Sequence, residues 1–173
     1  MDDGDDFDPA DWSRRYHFPQ KRPLDDAQLA RLAAIAEVRE ARDRRNLKAQ
    51  IARRGLASFM NATRWRALQK AVLTEMPFPP IFQLQSVIGP RVDPLPPGVM
   101  GGWGGWADDL ADFAFIEWIQ VRPLVSHTRG ALIAPRIEDG SDPFREILQR
   151  LNIPFVERDG DFWIYGYADR APC

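Results

Sequence analysis

The chain has 173 residues, of which 45% are hydrophobic and 28% are charged, and its formal net charge is −2. This length suits one domain with a single core plus an extension, and the composition is that of a globular protein. It excludes a transmembrane helix, because no apolar stretch approaches the roughly 20 residues that a span requires. The one cysteine, Cys173, excludes an intrachain disulfide and predicts a reducing, cytoplasmic location.

Charge is distributed unevenly along the chain. Residues 1–11 contain six aspartates and no cation, whereas residues 12–60 contain twelve Lys and Arg against five acids. Such asymmetry is typical of interaction tails, although the two segments can also pair with each other. The acidic start has no apolar segment, so we expect no signal peptide. We predict three regions: an acidic, proline-containing arm (1–23), a long charged helix (24–57) and a core domain (58–173).

A long helix is predicted from Leu24 to about Arg54. Asp25 or Asp26 can cap its start and Gly55 can end it. Its middle is charged on all sides, which predicts packing at the two ends only. The helix also carries a stripe of arginines that could contact nucleic acid, but interleaved acids and a sequence pI of about 5.7 disfavour that function. The arginines are Arg39, Arg42, Arg44, Arg45, Arg53 and Arg54.

Short segments with clear periodicity follow from residue 58 onward. In chain order they are a helix over 61–76 capped by Asn61 or Thr63, a strand over 81–88, a long loop over 89–112, a central strand over 113–121, a second strand near 131–137, a helix over 141–152 capped by Asp142, and a hairpin over 153–167 that turns at Asp159 and Gly160. This order predicts an α+β fold, with a small antiparallel sheet that has helices on one face and is preceded by the long N-terminal helix.

The residues of usual catalytic and metal sites are scattered in this sequence. His17 and His127 lie far apart, and the single cysteine is the last residue, so no Cys/His cluster has the spacing of a zinc site. Ser126 precedes His127, which we expect in an exposed loop, and no nucleophile elbow surrounds it. The glycine-rich "GGWGG" lacks the lysine of a phosphate-binding loop. We therefore predict no catalytic residue, no metal and no cofactor.

The long loop holds two tryptophans among four glycines, Trp103 and Trp106, followed by Asp108 and Asp109. Tryptophan is enriched at interface hot spots, so these indoles could anchor a partner while the two carboxylates steer it. Alternatively, both indoles fold back to cover the sheet, and the aspartates cap a short helix. The sequence leaves both interpretations open.

Glu117 occupies the middle of the predicted central strand, where a carboxylate is costly unless it is paired or solvated. Arg122 or Arg136 could pair with it, or it could face solvent or a concave functional surface.

The C-terminal strand is predicted to have two different faces. Its alternation places Phe162, Ile164 and Gly166 on one face. The opposite face is an aromatic ladder that a helix, the N-terminal extension or a partner must cover. The ladder consists of Trp163, Tyr165 and Tyr167.

Several blocks of the core domain, "FPP-x-FQ", "IEWI-x-V-RP" and "IPF…FWIYGY", together resemble an uncharacterised bacterial family of small domains of unknown function. The resemblance covers about residues 60–167, so the first 59 residues look like an addition. It implies no established activity and no catalytic residues. Small domains of this sort are often suspected to be immunity proteins encoded beside secreted toxins.

Our leading hypothesis is a cytoplasmic immunity or antitoxin-like protein that neutralises a cognate toxin through an aromatic and acidic surface. In it, the loop residues and the aromatic ladder contact the toxin, and Glu117 plugs its active site. One alternative is a small enzyme that uses Glu117 and a loop carboxylate. Another is an adaptor whose basic N-terminal helix binds nucleic acid. The sequence does not define the oligomeric state.

Overall fold

A computed structural model of the chain describes residues 23–101, 105–107, 110, 112–129 and 133–170. These residues form an α+β fold, as predicted. The elements are α1 (Asp26–Arg54), β1 (Ala57–Ser58), α2 (Ala62–Glu75), β2 (Ile81–Ser86), a 3-10 turn (Phe113–Phe115), β3 (Ile116–Arg122), β4 (Leu124–His127), β5 (Arg136–Asp139), α3 (Ser141–Arg150), β6 (Phe155–Arg158), β7 (Asp161–Tyr165) and β8 (Tyr167–Ala168). Among the described residues, no helix is long and apolar enough to cross a bilayer.

Helix α1 begins and ends at the signals that predicted it. The Asp25 carboxylate accepts a hydrogen bond from the Gln28 backbone N–H at 2.7 Å, and the Gln28 side chain accepts one from the Asp25 N–H at 3.1 Å. This reciprocal pair satisfies two N–H groups that a helix start otherwise leaves unpaired. At the other end, Gly55 adopts a φ of 64°, the left-handed conformation that commonly terminates helices.

The chain divides into two compact units, residues 1–40 and 41–173. In the described part of the first unit, the apolar side chains of α1 are about half exposed; Leu29 and Leu32 are examples. In the second unit, Leu47 of the same helix is buried. The prediction that both ends of the helix pack therefore holds for its C-terminal end only, within the described residues.

The second unit contains a four-stranded antiparallel sheet in the order β2-β3-β7-β6. Helices α2 and α3 pack on one face of it, as the amphipathic spacing predicts. Asn61 caps α2 by accepting a hydrogen bond from the Arg64 N–H at 2.9 Å. The β6–β7 hairpin turns at Asp159 and Gly160, which both have positive φ as a two-residue hairpin turn requires. The largest fully buried side chains include Trp65, Phe144, Phe162, Leu68, Ile119 and Leu148.

Several local predictions are wrong. Residues 113–115, predicted to begin the central strand, form a 3-10 turn, and the strand predicted near 131–137 is β5, which begins only at Arg136. His127 lies not in a loop but at the end of β4, where it pairs with Arg136 in a β4–β5 hairpin that the sequence pattern did not reveal. Helix α3 is not capped by Asp142, because the helix already starts at Ser141. The Asp139 carboxylate accepts from the Ser141 N–H at 2.8 Å instead, and Asp142 lies within the first turn.

The second face of the sheet is covered by a proline-rich segment, residues 89–100, which we call the strap. Buried glutamines of the sheet hold its main chain. The Gln85 side-chain oxygen accepts from the Val92 N–H at 2.9 Å, and the Gln120 oxygen accepts from the Leu95 N–H at 2.7 Å. The strap is thus a third layer, which polar groups on the sheet hold by its main chain.

Arg122 is the strongest of these anchors. Its guanidinium donates to both carboxylate oxygens of Asp161 at 2.7 Å, and both side chains are about nine-tenths buried. Its other donors reach three strap carbonyls, those of Leu95, Pro96 and Val99. All five N–H donors of Arg122 therefore have acceptors, which is the condition under which a buried charge is tolerated.

Candidate partner-binding cleft

An open cleft of about 720 Å³ lies between the strap, the C-terminal end of α1 and the strands β3, β7 and β8. Four aromatic side chains line it: Trp118, Trp163, Tyr165 and Tyr167. Five charged side chains complete its wall: Arg54, Arg91, Asp93, Glu117 and Asp169. The structure therefore brings Glu117 together with the whole aromatic ladder of the C-terminal strand.

A β-bulge places Glu117 in this cleft. Strict alternation would put Glu117 on the same face as Ile119, in the core. In the register, however, Gln85 lies opposite Trp118 and Ser86 lies opposite Ile116, so Glu117 is the extra residue of β3. Bulges re-aim side chains in this way and occur often beside functional sites.

The bulge is accommodated by a close approach from the neighbouring strand. The Gly166 N–H donates to the Glu117 carbonyl oxygen at 2.8 Å. A Cβ atom at Gly166 would lie 2.0 Å from the Ile116 carbonyl oxygen. Only glycine fits this position without a backbone shift.

Arg54, the last residue of α1, binds Glu117 through two parallel hydrogen bonds. Its two terminal nitrogens donate to the two carboxylate oxygens at 2.7 and 2.6 Å, and the exposed side-chain fractions are 33% for Arg54 and 11% for Glu117. The hydrogen bonds to Glu117 raise the pKa of Arg54 against the effect of burial, and the charges of Glu117 and Asp169 raise it further. Neither Arg122 nor Arg136 is the partner of Glu117: Arg122 is committed to Asp161, and Arg136 lies in β5 opposite His127.

The Arg54→Met substitution should lower the free energy of unfolding by about 2 kcal/mol, because it leaves a buried carboxylate without its partner. Water reaching the one-third exposed Arg54 position keeps the loss below that of a fully enclosed pair. Urea denaturation at neutral pH measures it. Arg53→Met is the matched control, since Arg53 bonds only to Gln50 of its own helix among the described residues. Equal losses in both variants would contradict the stabilising role of the pair.

The N–H and O–H groups of the aromatic side chains differ in whether they have a hydrogen-bond partner. Trp163 packs against Trp118 with ring centroids 5.0 Å apart and an interplanar angle of 56°. The Tyr167 hydroxyl donates to the Ala114 carbonyl at 3.0 Å, and burial raises the pKa of Tyr167. The Trp163 N–H and the Tyr165 hydroxyl have no hydrogen-bond partner in the described part of the chain. These two donors are available to a ligand.

Trp106 is the tryptophan of the glycine-rich loop that the structure describes, and it packs in the core. Trp106 is fully buried, its N–H donates to the Pro80 carbonyl at 2.7 Å, and its ring meets Phe82 edge to face at 5.0 Å. Trp106 therefore folds back onto the sheet and cannot serve as a surface anchor in this conformation. Trp103, Asp108 and Asp109 lie outside the described residues.

Sequence reasoning missed the contributions of Arg54, Arg91, Asp93 and Asp169 to the cleft. They come from three separate segments that only the tertiary fold brings together. One signal was present in the sequence: polar Gln83 and Gln85 alternate with apolar residues along β2, which indicates a polar face of the sheet.

The described residues contain no group of three or more His, Cys, Asp and Glu side chains that could hold a metal ion. The cleft contains an ion pair, aromatic ring faces and hydrogen-bond donors.

Comparison with known proteins finds no match among curated proteins and none among solved structures. A family model matches residues 47–171. The match begins upstream of the resemblance seen in the sequence and includes the buried Leu47 and the cleft residue Arg54. The matched segment covers more than half of the chain, which therefore belongs to the family of unknown function DUF6678.

Proposed function

We propose that residues 41–173 form a protein-binding domain whose cleft receives part of a partner protein, and that the partner is a toxin which this domain neutralises in the cytoplasm. The observation that carries the proposal is the make-up of the cleft. Six of its thirteen lining residues are Trp, Tyr or Arg, the types most enriched at protein-interface hot spots. They are Trp118, Trp163, Tyr165, Tyr167, Arg54 and Arg91.

The state of Glu117 supports binding over catalysis. A general acid or base needs a carboxylate oxygen within reach of a substrate proton. Both oxygens of Glu117 already accept hydrogen bonds from Arg54. In the proposed complex Glu117 holds Arg54 in place, and the arginine and the aromatic rings make the contacts.

Photocross-linking tests whether the cleft binds a protein. We would place p-benzoylphenylalanine at Leu56, which lines the cleft, in the intact chain and irradiate cells of the native host. The matched control carries it at Leu73, a side chain 49% exposed on α2 and outside the cleft. One discrete adduct from position 56 and none from position 73 is the expected result. The absence of a protein adduct at position 56 would refute the binding proposal.

Toxin neutralisation needs a second measurement on the cross-linked protein. Expressed alone in a heterologous bacterium, that protein should arrest growth, and co-expression of the intact chain should restore it. The double variant Trp163→Ala/Tyr165→Ala should restore growth far less at equal soluble expression. A partner that is harmless alone would refute the toxin assignment while leaving protein binding in place.

A further inference from the structure

We propose that the cleft recognises an extended, proline-rich segment of its protein partner, with a basic side chain flanking the prolines. This inference rests on the proposed binding function and specifies the chemistry of the partner at that same site.

The first support is the set of unused donors in the cleft. Among the described residues, Arg54 uses two of its five N–H groups, both on Glu117, in contrast to Arg122, which uses all five. The Trp163 N–H and the Tyr165 hydroxyl have no partner within the described residues. A polyproline II segment has no internal hydrogen bonds, so its backbone carbonyl groups can accept hydrogen bonds from such donors. Aromatic-lined grooves are the usual docking sites for such segments.

The second support is an internal precedent on the same face of the sheet. The strap contains four prolines, which fix their own φ angles and drive the preceding residues toward extended geometry. They are Pro90, Pro94, Pro96 and Pro97. Pro94 and Trp163 line both the cleft and a neighbouring cavity of about 530 Å³. This sheet face therefore already holds one proline-rich chain through main-chain groups, and the cleft lies directly beside it.

The third support is the balance of charge. Glu117 neutralises Arg54, which leaves Asp93 and Asp169 against Arg91 alone. The cleft thus has one negative charge in excess, next to aromatic rings whose faces attract cations. One Lys or Arg beside the prolines would match it, whereas an acidic flank would be repelled.

Three synthetic ten-residue peptides test the inference on the intact protein: octaproline flanked by arginines, octaproline flanked by glutamates, and a Gly/Ser octamer flanked by arginines. Titration followed by tryptophan fluorescence and by the indole N–H resonances should show binding of the first peptide. We expect at least tenfold weaker binding of the Gly/Ser peptide, and at least threefold weaker binding of the glutamate-flanked peptide at low salt.

Variants locate the binding site. Trp163→Ala should abolish binding of the arginine-flanked octaproline, and Tyr165→Phe, which removes only a hydroxyl, should weaken it severalfold. Arg158→Ala is the control, because Arg158 lines the neighbouring cavity and not the cleft. Absent binding, equal binding of the Gly/Ser peptide, or an unchanged Trp163→Ala variant would overturn the inference.

Failure of this inference can be told apart from failure of the proposed function. Mass spectrometry of the adduct formed at position 56 identifies the partner peptide that lies in the cleft. A cross-linked protein segment without prolines would overturn the proline-rich assignment while the protein-binding proposal stands.

Discussion

Arg122→Met should lower the free energy of unfolding by about 3 to 5 kcal/mol, the cost of breaking a buried ion pair on one side. The variant leaves Asp161 as an uncompensated charge that is 4% exposed. It also removes the donors to three strap carbonyls. Chemical denaturation measures the loss. Arg122→Lys should recover only part of it, because an ammonium lacks the planar fork that reaches two carboxylate oxygens and the strap together.

Release of the strap gives this prediction a second readout. Arg91 lies in the strap, and a strap released from the sheet is more accessible to a protease. Trypsin should therefore cut after Arg91 much faster in Arg122→Met than in the parent protein under native conditions. Arg158→Met is the control, since Arg158 is exposed and lines the cavity of about 530 Å³ that Arg122 also lines. Unchanged stability together with an unchanged cleavage rate would show that Arg122 does not hold the strap.

Gly166→Ala should destabilise the protein by about 3 kcal/mol or prevent it from folding, because the new methyl group would lie 2.0 Å from the Ile116 carbonyl oxygen. Backbone atoms cannot yield as the end of a flexible side chain can, so the bulge must shift. The shift would also move Glu117 away from Arg54. Thermal unfolding and the soluble yield measure the effect.

Gly101→Ala is the matched control for the same chemical change. No atom lies within 4 Å of a Cβ built at Gly101, and its φ is not in the left-handed region. We expect a change within about 0.5 kcal/mol there. Similar melting temperatures for the two variants would contradict the steric role of Gly166.

Much of the fold follows from local patterns in the sequence. Helix α2 is recognisable from Asn61 and the apolar spacing that buries Trp65, Leu68 and Val72. The β6–β7 hairpin follows from Asp159 and Gly160, since few other residue pairs adopt two successive positive φ angles. These elements carry their own signals within a few residues, so reading them requires no knowledge of the tertiary structure.

The site was less accessible to such reasoning, because its determinants are non-local. Arg54 and Glu117 are 63 positions apart, and no local pattern in either segment indicates that the two residues pair. The bulge at Glu117 is invisible in the apolar run "FAFIEWIQV", since a one-residue insertion changes the register without changing the composition. The aromatic ladder could be read from alternation, but the strap that borders it could not be predicted.

The strap also has a consequence for how this protein can change. Its grip on the sheet uses backbone N–H and C=O groups, which every variant of the strap keeps wherever the new residue is not proline. Side chains such as Arg91 and Asp93 can then be replaced with little effect on the main-chain hydrogen bonds that hold the strap. Under the proposed binding function, this arrangement would let selectivity drift toward new targets while the fold stays constant.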